Sequence, residues 1–240
     1  MKRFLVDKIT SQYVSLDGAE FNHMRNVLRM QVSDQVVLNC GDGFDYHATI
    51  ENMTKSSATL QVISKEKNIA DSRCDVTVFQ ALVKGDNMSL IVQKCTELGV
   101  NTFVPFESKF ITAKDKLGKA EKLQVIANQS TKQCKRSKPM QVNQTLSFKE
   151  MLDKLSQYDI VIFANETEKS NALSSKLSQY NRIALIVGSE GGFDKDEIDA
   201  INAKGAKSIS MGNRILRAET AAIALTSVVM YLVGEWNYES

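Results

Sequence analysis

The rhythm of apolar and polar positions changes once along this 240-residue chain. In the first part the period is two. "SATLQVISK" alternates polar and apolar side chains, as a half-buried strand does. "DQVVLNC" and "DYHATIENM" read as two further strands, and the "GDGF" between them offers glycines for a hairpin turn. Ahead of them, "EFNHMRNVLRM" places Phe21, Met24, Val27 and Leu28 at helical spacing. One short helix with several strands predicts a small β-barrel or sandwich over residues 1–70. "SKEKNIADSRC", residues 64–74, is polar and aperiodic and is expected to be the linker.

Beyond it the grammar becomes strand, helix, strand. "VTVFQALV" is nearly continuous in apolar residues, which suits a strand buried on both faces of a parallel sheet. "DNMSLIVQKCTELGV" follows with Met88, Ile91, Val92, Cys95 and Leu98 on one helical face and Gly99 as its stop. Then come strand "NTFVPF", a helix around "KLGKAEKLQVIANQSTKQCKR", strand "DIVIFAN" and helix "ALSSKL". Strand "RIALIVG", helix "DKDEIDAINAKG", strand "KSISMG" and a last apolar helix complete the series. This alternation predicts an α/β domain over residues 74–240 with a mostly parallel sheet.

Two strand ends carry candidate chemistry. In "IALIVGSEGGFDKDEID", Gly188, Gly191 and Gly192 allow a tight turn and close approach to a ligand, and Asp194 can cap the helix behind them. Loops at the carboxyl ends of parallel strands are where α/β proteins bind ligands. The loop lacks the Lys-Ser/Thr of a phosphate-binding P-loop, which opposes a nucleotide-phosphate enzyme. "SISMGNRILRAETAAIAL" repeats the syntax, with a loop from Met211 and Gly212 and a helix starting near Ala218. The two loops are expected to form two walls of one pocket. Arg217 and Glu219 then have two readings: a local ion pair at a helix start, or a site.

Composition narrows the class. Hydrophobic residues make up 43% and charged residues 24%, which is an ordinary globular balance. A net charge of +2 means that a polyanion must be met by a local patch. One such patch is Lys109, Lys114, Lys116, Lys119, Lys122, Lys132, Lys135 and Arg136; another is Lys2, Arg3, His23, Arg25 and Arg29. Lysines on a helix are as readily a solvated face, but two patches in two domains favour nucleic acid. Cys40, Cys74, Cys95 and Cys134 form no C-x-x-C pair and there are two histidines, so neither a metal knuckle nor a redox motif is expected. The thiols fit a reducing, cytoplasmic setting. "MKRFLVDKIT" has no secretory core, and the apolar run at 220–233 is too short to span a bilayer.

Together "LVKGDNMSLIVQKCTELGV", "VGSEGGF" and "MGNRILRAETAAIAL" resemble the bacterial 16S rRNA uridine-N3 methyltransferases of the SPOUT superfamily, and "FNHMRNVLRM" resembles the start of that family's PUA-like barrel. The resemblance implies an α/β, trefoil-knotted methyltransferase domain behind an RNA-binding barrel, and a homodimer. It implies S-adenosylmethionine as methyl donor, no metal, and 16S rRNA within the 30S subunit as substrate. Leu82, Gly188, Gly191, Gly192, Met211, Gly212, Ile215 and Leu216 are the cofactor-binding residues it implies. Arg217 and Glu219 are the catalytic pair, and Arg25, Arg29, Lys109, Lys132 and Arg136 the RNA contacts. The chain departs from the family at Ser189 and Asn213, where proline is usual, at Lys109, where arginine is usual, and at Lys132, where glutamate is usual. Two other functions share these features: ribose 2′-O methylation by another SPOUT enzyme, and RNA binding without catalysis during ribosome assembly.

Overall fold

The computed structural model describes residues 1–111, 119–169, 173 and 175–237. Contacts divide the chain into two units. One comprises Met1–Asp71 with Asn128–Pro139, the other Ser72–Ala127 with Met140–Ser240. The break at residue 71 lies inside the expected linker, but the return of Asn128–Pro139 to the first unit has no counterpart in the sequence reading.

The first unit is built on β1 (Lys2–Leu5), β2 (Tyr13–Asp17), β3 (Gln35–Asn39), β4 (Phe44–Met53) and β5 (Ser57–Lys67). The sheet order is β1-β3-β4-β5-β2, antiparallel except for the parallel pair β1–β3. Phe4 on one edge strand and Val14 and Leu16 on the other join one buried cluster with Leu38, Ile50 and Leu60, so the sheet curls around its own core. Gly41 and Gly43 take φ of 78° and 90° in the β3–β4 hairpin, which is the work expected of "GDGF". Strand β5 continues to Lys67, so the first residues assigned to the linker are strand. The expected helix is a short α1 (Gly18–Asn22) followed by a π-helical turn, His23–Val27.

Arg3 anchors this unit. Its guanidinium donates to both Asp45 carboxylate oxygens at 2.7 and 2.6 Å, and the Asn39 and Asn68 amides donate to the same carboxylate at 2.8 and 2.7 Å. Burial alone would raise the Asp45 pKa, but these bonds outweigh it and hold the carboxyl below its usual range.

The second unit carries β6 (Asp75–Ala81), β7 (Thr102–Glu107), β8 (Gln141–Val142), β9 (Leu146–Ser147), β10 (Ile160–Ala164), β11 (Arg182–Val187) and β12 (Lys207–Ile209). All pair in parallel in the order β12-β10-β11-β6-β7-β8, with β9 also on β7. Successive residues feed opposite faces. Ile183, Leu185 and Val187 pack with α2 (Asn87–Glu97) and α6 (Ala218–Leu232), while Ala184 and Ile186 pack with α4 (Phe148–Lys154) and α5 (Lys195–Ala203). Helix α3 (Lys119–Gln133) runs through the boundary at residues 127–128. Helix α4, opened by a Ser147–Glu150 capping box, and the two-residue strands before it are elements the sequence reading passed over. "ALSSKL" is in part outside the described residues; Ser175–Gln179 form a 3-10 turn rather than an α-helix.

Candidate active site

Three loops meet at the carboxyl end of this sheet. Strands β12, β10 and β11 are adjacent and parallel, so the segments that leave them emerge side by side. They line a cleft of about 710 Å³ with residues 164–169 after β10, 187–190 with Gly192 and Phe193 after β11, and 210–219 after β12. A drug-sized molecule fits such a volume.

The glycine loop is held close. The Gln80 amide donates to the Gly188 carbonyl at 3.0 Å, and Gly192 N–H donates to the Ser189 carbonyl at 3.0 Å. Gly192 has φ of +68°, and a Cβ there would lie 3.4 Å from Glu166 Oε1. A Cβ on Gly191 would sit 2.7 Å from Phe110 Cβ, so that glycine is required by close packing rather than by its dihedral angle. Behind the loop, Asp194 caps α5 as expected, in a capping box with Glu197. Glu197 also accepts from Lys109 N–H at 2.8 Å, which ties the end of β7 to this loop.

The second glycine differs. Gly212 has φ of +94°, and a Cβ added there meets nothing within 4 Å, so its backbone faces open space. Met211, Ile215 and Leu216 continue the same wall. Arg217 is the N-cap residue of α6, exposed, with no side-chain partner among the described residues. Glu219 lies in the first turn of α6, half-buried, and accepts a hydrogen bond from the Asn87 amide at 3.3 Å. No ion pair joins Arg217 to Glu219 among the described residues, so the local pair the sequence allowed is not formed.

Residues 70–230 match the family of RNA methyltransferase domains, and residues 16–63 match the PUA domain of RNA methyltransferases. The chain belongs to this RNA methyltransferase family. The ribosomal RNA small subunit methyltransferase E of Bacillus subtilis is 28% identical over 248 residues, covering 96% of each chain. That of Rickettsia conorii is 30% identical over 216 residues, covering 88% of this chain and 86% of its own. Among solved structures, ribosomal RNA small subunit methyltransferase E from Neisseria gonorrhoeae bound to S-adenosyl methionine superposes with a TM-score of 0.88 at 25% identity. It covers 99% of this chain and 100% of its own. A Legionella pneumophila methyltransferase in complex with SAM gives 0.87 at 27% identity, covering 95% and 96%.

Within the methyltransferase unit, Gly188, Gly192, Met211, Gly212, Ile215, Leu216, Arg217 and Glu219 all line the cleft. Leu82 does not: it is fully buried in the core, where the strand end it belongs to packs against α2 and α6. Gly191 stands behind the lining, against Phe110. The sequence reading missed the loop after β10 and Asn87, both of which line the cleft. The available signal was the polar burst of "NETEK" after an apolar strand, which is the syntax of the other two loops.

The basic residues fare differently. Arg25 and Arg29 are exposed, Arg25 donating to the Thr54 carbonyl at 2.7 Å. Lys109 is exposed, and its hydrogen bond with Asp194 at 3.0 Å raises its own pKa and holds the Asp194 carboxyl below the usual range. Lys132 is largely buried and bonded to Glu20 at 2.6 Å. Arg136 is 2% exposed beside Asp71. Both are committed to holding Asn128–Pro139 inside the first unit, so neither offers a free surface charge to RNA. Lys114 and Lys116 lie outside the described residues. Among the described residues no group of His, Cys, Asp and Glu is placed to hold a metal, and no helix is long and apolar enough to cross a membrane.

Proposed function

We propose that this chain methylates N3 of a uridine in the 16S rRNA of the small ribosomal subunit with S-adenosylmethionine as donor. The observation that carries the reading is the unpartnered Arg217 guanidinium beside Glu219, on a cleft whose walls are glycine backbone. The cleft suits the donor. The open Gly212 backbone and the Gly188–Gly192 turn offer peptide groups to a nucleoside, and Val187, Met211 and Leu216 offer apolar contact to a flat ring. When bound, S-adenosylmethionine supplies a methyl group on a sulfonium, which needs no further activation.

The protein's task is the acceptor. Uridine N3 carries a proton at neutral pH, and its loss spreads negative charge over O2 and O4. Arg217 has its donors free to meet that charge, as a fixed cation meets a developing oxyanion. Glu219 stands in reach of the same space to accept the proton. N3 lies on the pairing edge, so the base must enter unpaired or flipped out of its helix.

The first unit is assigned to RNA binding, with exposed Arg25 and Arg29 as phosphate contacts and Lys109 a third on the second unit. The reading includes the family's trefoil knot, its homodimer, a 30S particle as substrate and therefore a cytoplasmic location. Exposed Val228, Tyr231 and Trp236 on and after α6 give a second copy an apolar surface. The test is in-vitro methylation of 30S particles lacking the mark, with labelled donor, followed by digestion to nucleosides. 3-Methyluridine supports the proposal. A 2′-O-methylated nucleoside, or RNA binding without label transfer, refutes it.

A further inference from the structure

One short turn grips carboxylates from two of the three cleft loops. Residues 84–87, "KGDN", follow β6 and lead into α2. The backbone N–H of Lys84 donates to Glu190 Oε1 at 2.9 Å, and the Asn87 side-chain amide donates to Glu219 Oε2 at 3.3 Å. Glu190 belongs to the glycine loop and Glu219 to α6, and both carboxylates and Asn87 line the cleft. Gly85 lets the turn form: its φ is +62°, a conformation side chains rarely adopt, and a Cβ there meets nothing, so the glycine answers to the backbone alone.

We propose that Asn87 is a positioning residue that orients Glu219 for proton transfer. The proposal deepens the methyltransferase reading and rests on it. An amide N–H bonded to one carboxylate oxygen restricts the rotamers of the side chain that carries it. The step served is a proton transfer: the N3–H bond of the base breaks, the proton passes to a Glu219 carboxylate oxygen, and the electron pair stays on N3. A Glu219 paired to Arg217 would be a structural partner instead. The geometry gives it Asn87 and leaves Arg217 free.

Other charges line the same cleft on every element around it. Glu166, Glu168 and Lys169 stand on the loop after β10, Glu190 on the glycine loop, and Arg214 and Arg217 on the loop before α6. Lys84 and Asp86 flank Asn87 on the turn itself. None of these changes when residue 87 is varied, so a charge series at that position isolates its effect.

The experiment compares wild type with Asn87→Asp and Asn87→Lys, near-isosteric in the first case and donor-retaining in the second. The rotamer distribution of Glu219 is read from side-chain three-bond couplings by NMR on the free protein, with neither RNA nor S-adenosylmethionine present. This readout does not depend on which nucleoside the enzyme makes, so its failure is distinct from failure of the functional reading. Asn87→Asp replaces the donor with a like charge and is expected to spread Glu219 over more than one rotamer. Asn87→Lys keeps a donor and is expected to hold the wild-type rotamer. On 30S particles kcat falls by roughly tenfold in Asn87→Asp with KM unchanged, and Asn87→Lys restores most of it. One rotamer distribution in all three proteins overturns the role of Asn87. A distribution that broadens while kcat stays in place overturns the proton role of Glu219. If one variant fails to fold, the rotamers and kcat of the other decide.

Discussion

Adding one methyl group at Gly191 tests whether the glycine loop is fixed by packing. The added Cβ would lie 2.7 Å from Phe110 Cβ and 3.3 Å from the Phe110 carbonyl oxygen. Neither neighbour is the end of a flexible side chain, so the backbone must yield. Carbon atoms rest at about 3.5–4.0 Å, so Gly191→Ala demands a displacement near ~1 Å in the loop or in residue 110. Overpacking of this kind costs about 1–3 kcal/mol. If the loop must return to its present path to hold the cofactor, that energy appears as a roughly 5- to 150-fold loss of S-adenosylmethionine affinity. Isothermal titration calorimetry with S-adenosylmethionine measures it. Phe110→Gly removes the atom at 2.7 Å while leaving the carbonyl, so the double variant is expected to recover most of the loss. Gly212→Ala is the contrast, since its Cβ meets nothing and only its φ of +94° is strained. Affinity within twofold of wild type for Gly191→Ala, or no recovery in the double variant, refutes the packing argument.

Three other outcomes are expected. Arg217→Ala removes the one guanidinium proposed to meet the charge on the base, so kcat on 30S particles falls by roughly 100-fold or more while thermal stability is unchanged; calorimetric affinity for the donor staying near wild type separates the acceptor role from cofactor binding. Asp45→Ala leaves the largely buried Arg3 unpaired and destabilises the first unit by about 3–5 kcal/mol in urea unfolding. Because the folded Asp45 pKa is depressed, its contribution is fully present above the unfolded value near ~3.9 and is lost as pH falls through the folded value, so the wild-type advantage over Asp45→Ala shrinks in acid. Paired Arg25→Ala and Arg29→Ala changes weaken RNA binding and flatten its salt dependence, measured by filter binding at several salt concentrations, whereas Arg136→Ala lowers the melting temperature instead.

Those last two arginine sets show where sequence reading stopped. Arg25, Arg29, Lys109, Lys132 and Arg136 were all basic residues in patches, and charge alone ranked them together. Arg25 and Arg29 lie on the surface of the first unit. Lys132 finds its carboxylate 112 positions away in Glu20, and Arg136 finds Asp71. No local pattern announces partners so distant, because periodicity reports which face of an element is apolar and not which element it meets. Strands of the second unit were legible for the opposite reason: a parallel strand buried on both faces is a run of Val, Ile, Leu and Phe, and "RIALIVG" and "VTVFQALV" admit little else. Helix α4 was legible in principle. "SFKEM" carries the capping-box spacing ahead of Met151, and both of its bonds form.

The site itself depends on strand order, which the chain does not spell out. Read along the sequence, the loops after "RIALIVG" and "KSISMG" are consecutive and suggest a pocket with two walls. In the sheet, β10 lies between β11 and β12, so the loop after β10 becomes a third wall and brings Glu166, Glu168 and Lys169 into the cleft. The same order decides what Arg217 and Glu219 are. Had their loop stood alone, the two opposite charges two residues apart would have been each other's nearest partners. With the "KGDN" turn placed beside α6, the Asn87 amide takes the carboxylate and the guanidinium keeps its donors. A buried ion pair is indifferent to what enters the cleft, whereas an unpaired cation next to an oriented carboxylate is prepared for a substrate that must lose a proton and carry negative charge.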